Sequence, residues 1–298
     1  MPAKFFTCPD GVNTEITNCL NNCRLSATLP AGRCLSLRTL RAIADQREWN
    51  GTPSTTQLLK GTREAVLEIL TDYSIAPDGS LFRVHGSKAH AYLEQYTGGN
   101  EYGEERIADE HSTGMFDYYD SGVLYDTKTS GSYKVMRVLG LRSVDVETGE
   151  VYKTGAKKGQ PKTRKGIING GVPDRLDWAI QLNDYRIKLQ QILPAGEAVR
   201  QMCIEALVRD GGTYIAQGRG IDRNGYLIPI NFIGDHWIKR YMQTKAERLQ
   251  QALSTGIIPA RCNHRETWGG MKCEKYCNVR VACELIPAAG GFTLKEVG

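Results

Sequence analysis

The sequence predicts an α/β protein, with a central mixed sheet flanked by helices and two cysteine-rich ends stapled by metal. Three observations carry this. Apolar spacing is helical up to about residue 96, switches to period two at Gly114, and then alternates between the two. Eight of the nine cysteines stand in two quartets, one at each end. The chain is 41% hydrophobic and 24% charged, the balance of a soluble globular protein, with no run near the ~18 apolar residues of a spanning helix. Wholesale disorder, collagen-like repeats and a membrane bundle are thereby excluded. At ~150 residues per domain, 298 residues make one large domain or two small ones. The cysteines divide the chain into an N-terminal metal-binding segment (1–34), a core (35–255) and a C-terminal metal-binding segment (256–298). Met1–Thr7 turns polar too soon for a signal peptide, so a cytoplasmic location is expected.

After the turn-rich residues 1–34, Leu35, Leu37, Leu40 and Ile43 share one face of a helix that ends near Trp49-Asn50-Gly51. Ser54 or Thr55 starts a second helix through Leu70, which Gly61 interrupts. A third spans Ser87 to about Tyr96, stopped by Gly98-Gly99. Gly114–Tyr119 and Val123–Thr127 read as two strands joined by the turn Asp120-Ser121-Gly122. In that turn Asp120 is a turn residue first. Lys134–Leu141 reads as another strand. Residues 143–171 are polar and glycine-rich, without an apolar period. Asp174 caps a helix to about Leu193. Strands near 201–208 and 226–232 and a helix over about 235–254 complete the core. Cys203, inside the apolar run 202–208, is a packing cysteine.

The hairpin carries the chemistry. Adjacent strands bring Asp117 and Asp126 together, and two carboxylates at close range repel unless a cation lies between them. Oxygen ligands suit a hard divalent ion such as Mg²⁺ or Mn²⁺. Lys128, two residues beyond Asp126, projects from the same side of the strand. A metal with an ammonium group beside it is a layout for phosphodiester hydrolysis.

Asp126-Thr127-Lys128, preceded by Gly114-x-x-Asp117, resembles the acid-x-Lys hairpin of the PD-(D/E)XK nucleases, and of their RecB-like branch in particular. Gly86-Ser87-Lys88-Ala89-His90 upstream resembles that branch's histidine-bearing helix. Gln181-Leu182-Asn183-Asp184-Tyr185 downstream resembles its Gln-x-x-x-Tyr helix. The resemblance covers about residues 86–185. It implies a restriction-endonuclease-like core and hydrolysis of DNA by a Mg²⁺- or Mn²⁺-dependent enzyme. His90, Asp117, Asp126 and the Thr127 carbonyl would ligate the metal. Lys128 would position the attacking water, and Gln181 and Tyr185 would steady the site or touch the DNA backbone. Glu94, at i+4 from His90, is a weaker candidate.

The quartets are Cys8, Cys19, Cys23 and Cys34, and Cys262, Cys273, Cys277 and Cys283. Without an export signal, such clusters read as metal ligands rather than disulfides. Both contain Cys-x10-Cys-x3-Cys, by chance or through similar local architecture. Cys273-x3-Cys277-x5-Cys283 resembles the terminal triplet of the iron–sulfur nucleases of CRISPR adaptation and of the AddB type, with one residue more in the first gap. Thiolate zinc and a [4Fe–4S] cluster both stay open at each end. His264 and His236 are possible substitute ligands, but read as bystanders first.

The net charge of +5 permits a polyanionic partner without requiring one. Lys153, Lys157, Lys158, Lys162, Arg164 and Lys165 lie between the hairpin and the Gln-x-x-x-Tyr helix, where they could follow DNA phosphates. Tyr118, Tyr119 and Tyr125 could stack on bases. The expected function is a DNA nuclease, an exonuclease first, in end processing or recombination. Its expected setting is bacterial or phage-encoded, with a helicase, recombinase or integrase as possible partner. A non-catalytic, metal-stapled DNA-binding module and a CRISPR-adaptation nuclease are the rivals.

Overall fold

In the computed structural model, which describes residues 3–98 and 102–287, the chain opens with two short strands and a helix, β1 (Phe5–Thr7), β2 (Asn13–Glu15) and α1 (Ile16–Asn21). The next helices start where hydroxyl side chains cap them. Ser36 accepts from the Thr39 N–H to begin α2 (Leu37–Ala44), and Ser54 accepts from the Gln57 N–H to begin α3 (Thr55–Leu58). The break between α3 and α4 (Thr62–Leu70) falls at Gly61 for a steric reason: a Cβ there would stand 2.2 Å from Cys262 Sγ. After β3 (Ser74–Ile75), α5 (Pro77–Leu93) begins well before the expected Ser87. Pro77 at its first turn needs no N–H partner and holds a helical φ, so it starts the helix. A 3₁₀ turn, Glu94–Tyr96, ends it, and Gly99 lies outside the described residues.

Short strands β4 (Tyr102–Gly103), β5 (Arg106–Ala108) and β6 (Thr113–Met115) lead into the hairpin of β7 (Tyr118–Asp120) and β8 (Val123–Ser130). Ser121 and Gly122 both have left-handed φ (50° and 90°), the two-residue turn whose twist matches that of its strands. The expected strand Lys134–Leu141 is instead a helix, α6 (Ser132–Val138). Its run of short apolar residues fits either period locally. Burial of Val135, Met136 and Val138, with the Ser132 N–H and hydroxyl both bonded to Asp210, decides for helix.

Residues 143–171, although they show no apolar period, are mostly strand. They contribute most of an antiparallel ribbon, β9 (Leu141–Val151) and β10 (Pro161–Asn169). Most of it meets water, so nothing imposed an alternating apolar pattern on it. Asp174 does not cap α7 (Leu176–Leu189), whose start no side chain caps; its carboxylate pairs with Arg137 at 3.0 Å. Then follow β11 (Gln201–Val208), the unforeseen one-turn helix α8 (Tyr214–Gln217) capped by Thr213, β12 (Gly225–Ile230), α9 (Asp235–Thr255), α10 (Met271–Lys275) and α11 (Arg280–Leu285).

The central sheet is mixed, in the order β12-β11-β8-β7-β4, with β11 parallel to β8 and the other pairs antiparallel. Together with the helices around it, this makes a mixed α/β fold. Helix α7 lies within the β8–β11 crossover and joins two cores. Leu182, Tyr185 and Leu189 pack on the sheet, whereas Ile180 and Ile187 pack with α4 and α9. The N-terminal residues pack on a small third core around Phe6, Leu40 and Ile43. Cys277 and Cys283 pack on the second, so each end is fastened to its own core. No described helix is long and apolar enough to cross a membrane.

Candidate metal centre

Four chain segments meet at the β7–β8 hairpin. Near its C-terminal end, α5 presents His90; Gly86, one helical turn earlier, rests within 3.4 Å (from its Cβ position) of Thr129 on β8. His90 Nδ1 lies 3.3 Å from Asp117 Oδ1 and 3.5 Å from Glu104 Oε1. Ligand atoms of His90, Glu104 and Asp117 all fall within 4.8 Å of one another, and the trio could hold a metal ion. The second Asp117 oxygen accepts the Thr127 N–H at 2.6 Å, which ties this carboxylate to β8. Glu104 has φ 49°, and its N–H bonds to the Asp117 carbonyl. Such a conformation costs a non-glycine residue about 1 kcal/mol, and here it aims a carboxylate at the other two ligands.

Asp126 lies beside that trio, on the same cavity, but is not one of the three grouped ligands. It is only 2% exposed, on the side of β8 that faces α7. Gln181 Nε2 reaches its Oδ1 at 3.4 Å and donates to the Tyr185 hydroxyl at 2.9 Å. Lys128 Nζ lies 2.7 Å from Asp126 Oδ2 and forms an ion pair with it. The Gly114-x-x-Asp117 spacing also has a steric reason: a Cβ on Gly114 would stand 2.5 Å from the Tyr185 ring.

Electrostatics follow this geometry. Hydrogen bonding to Asp117, with the charges of Asp117 and Glu104 behind it, raises the His90 pKa against the opposing effect of burial. Burial raises Glu104, and the Asp117 charge adds to it. Burial also raises Asp126, with Lys128 opposing. Negative charge is thus concentrated and poorly hydrated here, a condition that a bound cation relieves.

A cavity of about 600 Å³ opens onto His90, Glu104, Asp117, Asp126, Lys128 and Gln181. A neighbouring one of about 330 Å³ shares His90 and Asp117 and is walled by Tyr96, Tyr118 and Tyr125. Tyr118 and Tyr125 lie ring to ring at 5.6 Å. Tyr119 is buried in the main core at 3% exposure and offers no face for a base. Glu94 is an exposed rim residue of both cavities, and Asp120 bonds the hydroxyl of its turn neighbour Ser121. Of the basic stretch, none lines either cavity.

Two acids escape a reading of the sequence. Glu104 follows a strand of two residues, and no spacing marks it. Glu205, which accepts from the Thr127 hydroxyl at 3.0 Å, does leave a signal. It is the one charged residue in the otherwise apolar strand core 202–208, and a central strand seldom carries a charge without a reason.

The cysteine quartets share a layout. In each, the second cysteine sits on a short helix, Cys19 on α1 and Cys273 on α10, and the third follows just beyond its end. Burial raises Cys19, and the charges of Cys23, Cys8 and Cys34 add to it; among the described residues, no three thiols lie within the 4.8 Å that groups His90, Glu104 and Asp117. Arg33 fixes Cys34's neighbourhood to α1 by donating to the Cys19 and Leu20 carbonyls. At the other end Cys283 Sγ accepts from Arg63 Nε at 3.1 Å. Burial raises Cys262, and pushes Cys277 up to about 11; N–H groups of Glu64 and Val279 respectively oppose it. No disulfide forms, and Cys203 is buried as a packing residue.

No family model and no curated protein matches the chain. A solved structure described as "Crystal structure of SSO0001" aligns over 83% of this chain and 92% of that chain, with 16% identity and a TM-score of 0.40, a likeness too slight to carry an argument.

Proposed function

We propose that the chain is a divalent-metal-dependent deoxyribonuclease with a PD-(D/E)XK-type core, using Mg²⁺ or Mn²⁺. The observation that carries this reading is the pairing of Asp126 with Lys128 on the floor of the cavity in which His90, Glu104 and Asp117 converge. The donor set fits a hard cation: carboxylate oxygens and one imidazole, with ligand atoms all within 4.8 Å of one another. His90, Glu104 and Asp117 would hold the ion, with Asp126 beside them. When bound, it would withdraw charge from a phosphodiester oxygen.

The side chains supply the rest. Thr127 and Glu205 keep the strand and the Asp117 carboxylate in place. Gln181, itself held by Tyr185, orients Asp126. Lys128 keeps an ammonium group at the cavity, 25% exposed, where negative charge builds up on a phosphate under attack. On their grouping in the sequence, each cysteine quartet would hold zinc or a [4Fe–4S] cluster as a structural staple once its thiols are drawn together.

End-labelled linear and circular DNA, single- and double-stranded, incubated with Mn²⁺ and with EDTA, tests the proposal. Metal-dependent loss of label or conversion of circles is expected. DNA that is retarded in a gel but never cut would point to a binding module instead.

A further inference from the structure

The β9–β10 ribbon has no role in the cavity, yet it is a large feature of the surface. Its roots touch: the Gly171 N–H bonds to the Gly140 carbonyl at 2.8 Å, and a Cβ on Gly140 would stand 2.7 Å from the Gly171 carbonyl oxygen. Both strands therefore leave the body through one glycine pinch, and Gly220 packs on Leu141 and Ile167 at the base. Beyond the base the ribbon is exposed, including Val146 and Val151. Eleven residues of β9 extend roughly 35 Å at about 3.3 Å each. A two-stranded ribbon alone is marginal in water, so a partner that covers it would add stability.

Charge indicates the partner. From Val151 to Pro173 there are six Lys or Arg and no Asp or Glu. Lys162 and Lys165 are neutralised by Glu150 and Asp145 on the opposite strand. Lys153, Lys157, Lys158 and Arg164 make no ion pair among the described residues, and three of these four cluster at the tip. Arg142 at the root and Glu147 midway along β9 also make no ion pair among the described residues and offset each other, so the ribbon's surplus positive charge lies mostly at its tip. The major groove of B-form DNA, about 12 Å wide, admits a two-stranded ribbon, and phosphates line both of its edges.

We propose that the 141–169 ribbon is an arm for duplex DNA, lying in the major groove with Lys153, Lys157, Lys158 and Arg164 on the flanking phosphates. It rests on the nuclease reading only in taking DNA as the substrate. The arm would hold the duplex while the cavity acts on the strand delivered to it.

Binding in EDTA separates the arm from catalysis. A labelled 30-base-pair duplex and a 30-nucleotide single strand are titrated at several salt concentrations. The proteins are the full chain, the quadruple variant Lys153→Ala/Lys157→Ala/Lys158→Ala/Arg164→Ala, and a variant in which Asn-Gly replaces residues 141–170 between the two root glycines. Circular dichroism checks that each folds. For the duplex, the log–log salt slope should fall by about 3 to 4 in the quadruple variant, at about 0.9 for each phosphate that is no longer neutralised. The ribbonless variant should match it, and single-strand affinity should change less than threefold. Equal losses on both DNAs would overturn the groove assignment in favour of a general polyanion patch. Unchanged duplex binding would overturn the arm altogether and leave a protein partner or a spectator ribbon. Cleavage by the full chain in Mn²⁺ is scored separately, so failure of the nuclease reading and failure of the arm give different results.

Discussion

At Asp126 a single carboxylate is nearly sealed from water, with Lys128 beside it. Burial raises its pKa, so the ionised form above that pKa weakens the metal-free fold. Asp126→Asn should therefore abolish Mn²⁺-dependent cleavage while raising the Tm of the metal-free protein, by about 2–4 °C for each kcal/mol recovered. Loss of both activity and stability would mean that the residue is structural. His90 is the complementary case. Its folded pKa lies above the ordinary 6.5 of a histidine, held up by Asp117 and Glu104. The stability it contributes without metal is fully present below about pH 6.5 and is lost as pH rises through the raised value. An NMR titration should find its midpoint above about 6.5 in EDTA and lower in Mg²⁺, because a dication disfavours the imidazolium. A midpoint that ignores Mg²⁺ would remove His90 from the ligand set.

Among the elements, the turn and β8 are legible in the sequence and the ribbon is not; the single strand expected over Gly114–Tyr119 is two, β6 and β7, in different sheets, with Asp117 between them. Period-two alternation, with Ser-Gly at the turn, marks β8 and its turn because one side packs on α7 and the turn needs left-handed residues. Helix α6 reads as a strand because short apolar runs fit either period, and β9–β10 escapes notice because an exposed ribbon needs no apolar pattern. The position of α7 depends on its close approach to β6. Gly114→Ala would press a methyl group into the Tyr185 ring and disturb Gln181 and, through it, Asp126. Overpacking of this kind costs about 1–3 kcal/mol. Thermal denaturation should show that loss together with slower cleavage, whereas unchanged values would mean that Tyr185 has room to move.

Over the whole molecule, the ends are fastened by buried polar groups as well as by cysteines. Arg63, 1% exposed, donates to the carbonyls of Pro259, Cys283 and Ile286 and so draws the C-terminal segment onto α4. Cys277→Ser should unfold or aggregate the protein rather than merely slow it, since assembly of thiolate ligands contributes to folding. Elemental analysis of the parent chain should give zinc or iron at about one site per quartet. Broad absorbance near 400 nm would select iron–sulfur. Nine freely titrating thiols in the folded parent would exclude both. The sequence alone determined the α/β alternation, the acid-x-Lys hairpin and the two quartets. Local periodicity and turn chemistry write these into consecutive residues. Only the tertiary structure decided that Glu104 joins His90 and Asp117, that Asp126 turns toward α7, and that the basic stretch is a ribbon. Each of these depends on contacts between segments distant along the chain, where spacing in sequence carries no record of distance in space.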